Sequence, residues 1–563
     1  VLIRNRPLPA SIVSAVGKKD QSESSRFFGA AKVVAGLTML SRVLGLVRDH
    51  MIMRLGAGRA TDSFWAAFSI PNLFRRLFGE GALSAAFVPV FTEVLETEGL
   101  DRARVVLANA AGLLALVLAG ILVLVELGLG VWLLAAGNSA EWDRLLLVKL
   151  IAIVMPFMLT ICLLALASAA LQCRGRFAYP AFAPMLLNVC MIAAAVVGIR
   201  ADETNWMSLA LLSASVVVAG VLQLIGAAWL LVRVELPAAM SLRPVLPEVR
   251  RIVAMTIPMM VPLGVLQFSA FFDRMYAWWM TATRVSPNLE LLGWQIARPL
   301  EPGVVTCLYA GNRLYQFPLG ILAISLATTV FPLFSRYASR GDLPSLRIAA
   351  NRALRLSVFL GLPAGAALVI LAQDSIALIY GHGRFEPNDV VRSARILQMY
   401  SLGMWAYFCN HILLRAFFAQ KDTRTPLWIS CGLAGLNMLL VAGGIFTPLR
   451  GASIGLATAV TATINTLLLT WILRRRWGRI HGRVLAISVL RTSICTGLMV
   501  ATLLAMEAGV RQKLASPTAG TAGLAMYVAA ACAGGTGIYL VAAVVLRAPE
   551  IGELLNRSGP KRG

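Results

Sequence analysis

Several arginines lie within stretches of this chain that are otherwise apolar enough to cross a membrane. Arg42 and Arg48 fall in GLTMLSRVLGLVRD, Arg75 lies in IPNLFRRLFGEG, and Arg313 lies in CLYAGNRLYQFP. An arginine at the centre of a bilayer costs about 2.5–3.5 kcal/mol even on permissive insertion scales, so such residues normally face a wet interior and have a function. Guanidinium groups gathered in one cavity suit a phosphate or diphosphate. The pattern therefore predicts transport of an anionic, phosphorylated substrate.

Helical spacing sorts the polar residues near the first arginines onto faces. Ser41 and Arg48 lie on one face at i and i+7, with Gly45 between them, and so predict a narrow polar stripe that faces a cavity. A structural pair between Arg48 and Asp49 at the end of the span is an open alternative. Arg42 lies deeper in the span, and we interpret it as a cavity residue.

Arg75 and Arg76 are adjacent, and neighbours on an α-helix point about 100° apart, so both cannot face one cavity. We expect Arg75 to face inward and Arg76 to pair with Glu80 at i+4. Arg54 and Arg59 lie outside the predicted cavity. We therefore expect both of them to tolerate alanine.

The second half of the chain carries a comparable set of polar residues. Asn312, Arg313 and Gln316 form a polar patch that matches the one around Arg75. Asp273, in QFSAFFDRMYAWWM, places a carboxylate within a span, and it is either one member of an ion pair or a cation or proton site. His411, in WAYFCNHILLRAFF, is either a packed interfacial histidine or a ligand. These alternatives stay open at the level of sequence.

Composition excludes several classes of protein. The chain has 563 residues, of which 58% are hydrophobic and only 14% charged, so it is predicted to be a polytopic membrane protein. The net charge of +24 comes from basic residues in short loops between apolar spans, which argues against nucleic-acid binding. Eight cysteines without a CxxC pair and four scattered histidines predict neither disulfides nor a metal site.

Apolar spans predict an all-α fold of about fourteen transmembrane helices. Pro89 and Pro332 end similar spans, and Pro180 and Pro426 follow similar loops at nearly the same offset, which predicts two six-helix halves. Arginine-rich loops place both termini in the cytoplasm. The predicted segments are a disordered basic tail (1–26), an N-terminal lobe (27–235), a C-terminal lobe (236–480), two extra helices (481–548) and a cytoplasmic tail (549–563).

The segment SRVLGLVRD…GAGRATDSFWAAFSIPNLFRRLFGEGALSAAFVPVF (Ser41–Phe91) resembles the signature region of the MurJ (MviN) family of lipid II flippases. The resemblance continues through FAYPAFAPMLLN, YAGNRLYQFPLG and FFAQKDTRTP, and it covers nearly the whole chain from about residue 27. It implies the multidrug/oligosaccharidyl-lipid/polysaccharide exporter fold in a bacterial cytoplasmic membrane, with two lobes around a cationic cavity. It also implies that the last two helices form a groove for the polyprenyl tail of the substrate.

The resemblance assigns roles to individual positions. By motif position, the family's essential cavity arginines fall on Arg42, Arg48, Arg75 and Arg313, and its important aspartate in the first external loop falls on Asp62. Ser41 completes this part of the expected substrate-binding set.

This chain departs from the family pattern at several of these positions. Many members carry acidic residues where this chain has Asn312 and Gln316, and some carry a lysine where it has His411. We keep all three in the expected substrate-binding set, although the cavity then holds fewer carboxylates. If the second lobe folds as the family's does, Asn437 supplies a carbonyl ligand to a cation at Asp273, with a salt bridge to a cavity arginine as the alternative. The external loop 284–302 is longer than usual for the family.

The implied substrate is lipid II, an undecaprenyl-diphosphate-linked disaccharide pentapeptide, moved from the cytoplasmic to the outer leaflet by alternating access. No GxxxxGK[ST] motif is present, so we expect no cofactor and coupling to sodium, protons, membrane potential or precursor flux. One alternative is a flippase for another polyprenyl-linked oligosaccharide, or another exporter of the same fold. Alternatives from other classes are a membrane glycosyltransferase or ligase and a non-transporting scaffold of the cell-wall machinery. The cell-wall synthesis machinery is also the expected protein partner of a flippase.

Overall fold

The computed structural model describes residues 33–79, 82–136, 141–201, 206–236, 239–242, 244–283, 286–291, 294–478, 482–514 and 520–555. The predicted tail 1–26 and residue Glu80 lie outside these ranges. The described part of the chain is almost entirely helical, as its runs of leucine, alanine and valine require of a segment that must satisfy its own backbone in lipid. The predicted all-α polytopic class is therefore confirmed.

The described residues form nine helices in the first half of the chain and twelve in the second half. The first nine are α1 (33–53), α2 (Arg59–Phe74), α3 (Ala82–Thr97), α4 (Gly99–Ala136), α5 (Trp142–Val154), α6 (Pro156–Cys173), α7 (Ala178–Arg200), α8 (Trp206–Arg233) and α9 (Pro247–Trp279). A π-helical turn, Arg75–Gly79, follows α2. Pro156 separates α5 from α6, because a proline inside a helix removes a hydrogen bond and clashes with the preceding turn.

The loop after α9 contains an antiparallel hairpin of β1 (Asn288–Leu291) and β2 (Trp294–Ala297), which gives part of the long loop 284–302 a defined structure. Twelve helices follow: α10 (Val304–Pro318), α11 (Ile324–Ser339), α12 (Leu343–Ile370), α13 (Ala372–Tyr380), α14 (Pro387–Leu402), α15 (Met404–Ala419), α16 (Arg424–Gly444), α17 (Ala452–Trp477), α18 (Gly482–Gly509), α19 (Arg511–Leu514), α20 (Gly520–Val545) and α21 (Pro549–Leu555). A second π-helical turn, Leu319–Ala323, joins α10 to α11.

Eleven helical stretches among the described residues are long and apolar enough to cross a membrane. The other three predicted spans are also helical, as α1, as α9 and as the pair α14 and α15, but they are not among those eleven. The count of fourteen transmembrane helices therefore stays a prediction.

Backbone packing divides the chain into two compact units. The first comprises Val1–Ile52, Phe74–Asn138 and Val148–Met260, and the second comprises Met53–Leu73, Ser139–Leu147 and Val261–Gly563. The second unit thus takes most of α2 and the start of α5, both of which the sequence analysis places in the N-terminal lobe. Within the second unit, α18 packs on α12 and on α20.

The C-terminal helices form a close-packed part of the second unit. Cys495, Met499 and Leu503 of α18 contact Tyr527 and Ala531 of α20 in one buried cluster. The predicted cytoplasmic tail 549–563 begins with α21, where Glu550 is 1% exposed and forms an ion pair with Arg355 of α12 at 3.1 Å. The first residues of that segment are therefore docked on the second unit by a buried charge pair.

Candidate functional site

Arg48 is the centre of a buried polar network in the first unit. Its Nη2 and Nε donate to Asp49 Oδ1 at 2.6 and 3.0 Å, and its Nη1 donates to Asn188 Oδ1 at 3.1 Å. Asn188 on α7 in turn donates to the backbone carbonyl of Ser41 at 3.1 Å. Arg48 is 8% exposed and Asp49 is fully buried. The Arg48–Asp49 pair that the sequence left open is thus formed, and Ser41 contributes its backbone to the network.

Arg42 and Arg75 are more open than Arg48. The side chain of Arg42 is exposed on α1, although the neighbouring Ser41 contributes its backbone carbonyl to the buried network. Arg75 is half-buried and begins the π-helical turn that follows α2. Hydrogen bonds in a π-helix run from i to i+5, so the α-helical spacing behind the expected Arg76–Glu80 pair does not hold here. The partner Glu80 lies outside the described residues.

The polar patch of the second unit lies on α10. Gln316 Nε2 donates to Asn312 Oδ1 one turn earlier, and Arg313 is half-buried between them in sequence. Tyr315 on the same helix stacks on Tyr400 of α14, with ring centroids 4.8 Å apart. His411 is half-buried on α15, a helix that packs against α11 and the adjoining π-helical turn. The three residues on α10 are therefore neighbours, and His411 lies on a different helix of the same unit.

The resemblance implies that Asp62 lies in the first external loop. In the structure Asp62 lies instead in the first turn of α2. It is fully buried, and its carboxylate accepts three hydrogen bonds of 2.8 Å from Gly303 N, Thr306 N and Thr306 Oγ1. Gly303 precedes α10 and has no side chain of its own to cap that helix, so Asp62 supplies the cap from another helix. In this structure Asp62 stabilises the start of the helix that carries Arg313.

Arg59, which the sequence predicts to lie outside the cavity and to tolerate alanine, makes several contacts at the start of α2. Its guanidinium stacks over the Trp278 ring at 4.0 Å and donates to the Trp278 carbonyl at 2.5 Å. Arg59 Nε also lies 3.3 Å from Asp143 Oδ2. Trp278 Nε1 donates to Ser63 Oγ at 3.1 Å, one turn further along α2. These contacts hold α2 against the end of α9.

Asp273 meets Asn437, as the sequence analysis expects, but through the amide nitrogen. Asn437 Nδ2 lies 3.1 and 3.4 Å from the two Asp273 oxygens and 3.2 Å from Ser269 Oγ. Asn437 Oδ1 is enclosed and has no hydrogen-bond partner within the described ranges. Asp273 is 8% exposed and forms no ion pair within 4 Å with any described residue, so the alternative of a salt bridge to a cavity arginine is not formed. No group of three or more metal-ligating side chains occurs among the described residues.

Comparison with known proteins identifies the family. The family model "Lipid II flippase MurJ" matches residues 51–516 of the chain. A protein from Rhizobium tropici named "Probable lipid II flippase MurJ" is 31% identical over 477 residues, which cover 83% of this chain and 85% of the relative. The chain belongs to the lipid II flippase MurJ family. The resemblance first seen in the Ser41–Phe91 segment is thereby confirmed.

Solved structures agree on the MurJ fold. A lipid II flippase MurJ in an inward closed conformation is similar with a TM-score of 0.70 and 20% identity, and the match covers 91% of this chain and 98% of that one. An inward-facing multidrug resistance transporter of the MATE family is similar with a TM-score of 0.58 and 13% identity, over 80% and 98% of the two chains. Both likenesses concern the fold, and they agree with the predicted exporter superfamily.

Sequence reasoning missed the partners of several residues in this MurJ-family chain. Asn188, Thr306 and Trp278 hold Arg48, Asp62 and Arg59, respectively. Asn188 was visible as a polar residue in an apolar span, and it closes the quoted FAYPAFAPMLLN segment. The other two gave no local signal, because their partners are more than two hundred positions away in the chain.

Proposed function

We propose that this chain is a lipid II flippase that moves the undecaprenyl-diphosphate-linked peptidoglycan precursor to the outer leaflet by alternating access. The observation that carries the proposal is the retention of guanidinium groups within apolar helices of both units: Arg42, Arg48 and Arg75 in the first, and Arg313 in the second. Arginine forks bind phosphate oxygens bidentately, which a lysine does not do. We propose that these four arginines bind the diphosphate.

The binding residues need fixed positions, and the structure suggests how two of them obtain theirs. Asp49 and Asn188 orient the Arg48 fork, with three of its donors committed to those two acceptors. Asp62 fixes the first turn of α10, two turns before Arg313.

Transport in one direction requires an energy source, for which Asp273 is the proposed coupling residue. A carboxylate held within the membrane by the amide of Asn437 is costly unless it binds a proton or a cation. Asn437 Oδ1, enclosed and without a partner among the described residues, is an oxygen of the kind that hard cations bind. We propose coupling to sodium, protons or membrane potential at this pair, with no further cofactor.

Sidedness and partners follow from the same proposal. We propose that the protein lies in the inner membrane of a bacterium with both termini in the cytoplasm, an orientation that the arginine-rich loops support. The β1–β2 hairpin then lies on the outer side. We propose that the protein is a transporter and not an enzyme. It delivers its substrate to the cell-wall synthesis machinery on the outer side of the membrane.

The deciding experiment is depletion of the protein in cells, with lipid II then labelled by a reagent that cannot cross the membrane. Loss of labelling together with a rise in total lipid II supports the proposal; unchanged labelling contradicts it.

Complementation with Arg313→Ala should fail at normal protein abundance, whereas Arg340→Ala, an exposed arginine at the end of α11, should complement. Asp273→Asn tests coupling separately, since it should abolish ion or potential dependence while substrate binding persists.

A further inference from the structure

A cluster of charges that the transport proposal does not use lies around Arg298, directly after β2. Arg298 is 7% exposed, and its backbone nitrogen donates to Pro287 O at 2.9 Å across the base of the hairpin. Its guanidinium interacts electrostatically with Glu141 and Arg144 at the start of α5 and with Arg59 at the start of α2. All of these residues belong to the second unit.

The two carboxylates of this cluster are each committed to another arginine. Glu141 Oε2 lies 3.4 Å from Arg144 Nε, and Asp143 Oδ2 lies 3.3 Å from Arg59 Nε. Asp62 is also near Arg59, but its oxygens already accept three hydrogen bonds from the start of α10. Arg298 therefore has one attractive charge in reach and two repulsive ones.

The positive charge of the Arg298 guanidinium is poorly compensated, although the side chain is buried. Its Nε is enclosed and has no hydrogen-bond partner within the described ranges. Burial lowers the pKa of Arg298, and although Glu141 opposes this, Arg144 lowers the pKa further. None of the sequence positions 137–140, 284, 285, 292 and 293 is acidic, so the adjoining loops offer no further carboxylate. A covered charge without a counter-ion is destabilising, because burial removes its hydration and nothing replaces it.

We propose that Arg298, with Arg59 and Arg144 beside it, forms a binding site for one oxyanion of the size of a phosphate or a carboxylate. The guanidinium fork presents parallel N–H groups to two oxygens of such an ion. Arg298 itself has two arginines and one carboxylate in reach, which suits an anionic group. The ion can come from solution or from the headgroup of a lipid, since both carry the same chemistry.

The site can be tested with inorganic phosphate on the full chain in lipid nanodiscs. Thermal unfolding is followed over a phosphate series at constant ionic strength, with chloride as the reference anion. Zwitterionic nanodiscs should show a melting temperature that rises with the logarithm of the phosphate concentration above the Kd, because a ligand of the folded state stabilises it by RT ln(1 + [L]/Kd). The rise should be lost in Arg298→Gln and kept in Arg450→Gln, whose guanidinium pairs with Glu301 outside the cluster.

Glu141→Gln keeps the test decisive even if Arg298→Gln folds poorly. That change removes the one carboxylate in reach of Arg298, so phosphate should bind about three- to tenfold more tightly, as expected for one partly screened charge interaction. Misfolding cannot produce a gain in affinity. In nanodiscs that contain phosphatidylglycerol, loss of the phosphate effect identifies a lipid headgroup as the occupant, and its persistence identifies a soluble ion. Equal melting temperatures in phosphate and chloride in both lipids, or an unchanged phosphate effect in Arg298→Gln, would overturn the proposal.

Discussion

Replacing Asp62 by alanine should release the start of α10. The carboxylate is fully buried and accepts hydrogen bonds from Gly303 N, Thr306 N and Thr306 Oγ1, each 2.8 Å long. Alanine removes all three acceptor contacts and leaves two amides of the helix start without a partner. No other side chain takes over, because the residue before α10 is a glycine whose added Cβ would lie 2.5 Å from Ala57 O.

The size of the effect follows from those three contacts. Loss of a helix cap costs about 0.5–2 kcal/mol, and each buried donor left unsatisfied costs about 1–3 kcal/mol. Removing a buried charge recovers part of this, because its own desolvation no longer opposes folding. We therefore expect a local destabilisation of about 2–4 kcal/mol. Each 1.4 kcal/mol changes the equilibrium constant for local opening by a factor of ten, so hydrogen exchange of the affected amides should speed up by roughly 30- to 700-fold.

Hydrogen exchange of the peptide that spans Gly303 and Thr306 measures this directly, and complementation measures its effect on transport. Asp62→Asn retains one carbonyl oxygen and should lie between the wild type and alanine. Thr306→Val removes only the hydroxyl bond and should change exchange by about tenfold or less, as one hydrogen bond is worth about 0.5–1.5 kcal/mol. Unchanged exchange in Asp62→Ala would refute the capping argument, and loss of activity with unchanged exchange would return Asp62 to the substrate-binding set.

Two further predictions concern the C-terminal helices. Glu550→Ala should weaken the docking of α21 by about 1–3 kcal/mol, since it removes one of the two carboxylates that pair with the Arg355 guanidinium and leaves the Ser488 hydroxyl without its acceptor. Glu550→Gln should cost less, and limited proteolysis of the C-terminus and thermal unfolding distinguish the variants. Gly535→Trp should separate α18 from α20, because even a Cβ at that position would lie 3.0 Å from Leu503. In a flipping assay we expect the variant to slow the flipping of long-chain substrates more than that of short-chain analogues. Equal impairment of both substrates would indicate that the glycine serves helix packing alone.

The helical class of this protein was predictable because bilayer spans leave a strong one-dimensional signal. Arg48 was predictable for the same reason, since its charge interrupts an apolar run. Its partner Asn188 was not, because the two lie on different helices and no local pattern records their meeting. Asp62 shows the opposite case: the sequence marked the residue, but only the structure shows its carboxylate on the start of α10.

Packing units were harder to predict than helices. The offset of similar prolines predicts two halves with a lobe boundary at 235, whereas the structure assigns Met53–Leu73 and Ser139–Leu147 to the second unit. Cross-helix contacts explain the first of these segments. Arg59 stacks on Trp278 and Asp62 caps α10, so most of α2 is held by residues that follow it by more than two hundred positions. A repeat in sequence therefore does not fix which helices pack together.

The predicted repeat nevertheless has a counterpart in the backbone. Each half contains a π-helical turn, Arg75–Gly79 in one and Leu319–Ala323 in the other, and each turn precedes the proline of its repeat, Pro89 or Pro332, by nearly the same number of residues. A π-helical turn inserts a residue into an α-helix, weakens its local hydrogen bonding and is frequent at functional sites. Arg75 begins the first turn, and Arg313 lies shortly before the second. The two halves thus place an arginine beside a locally weakened point of a long helix.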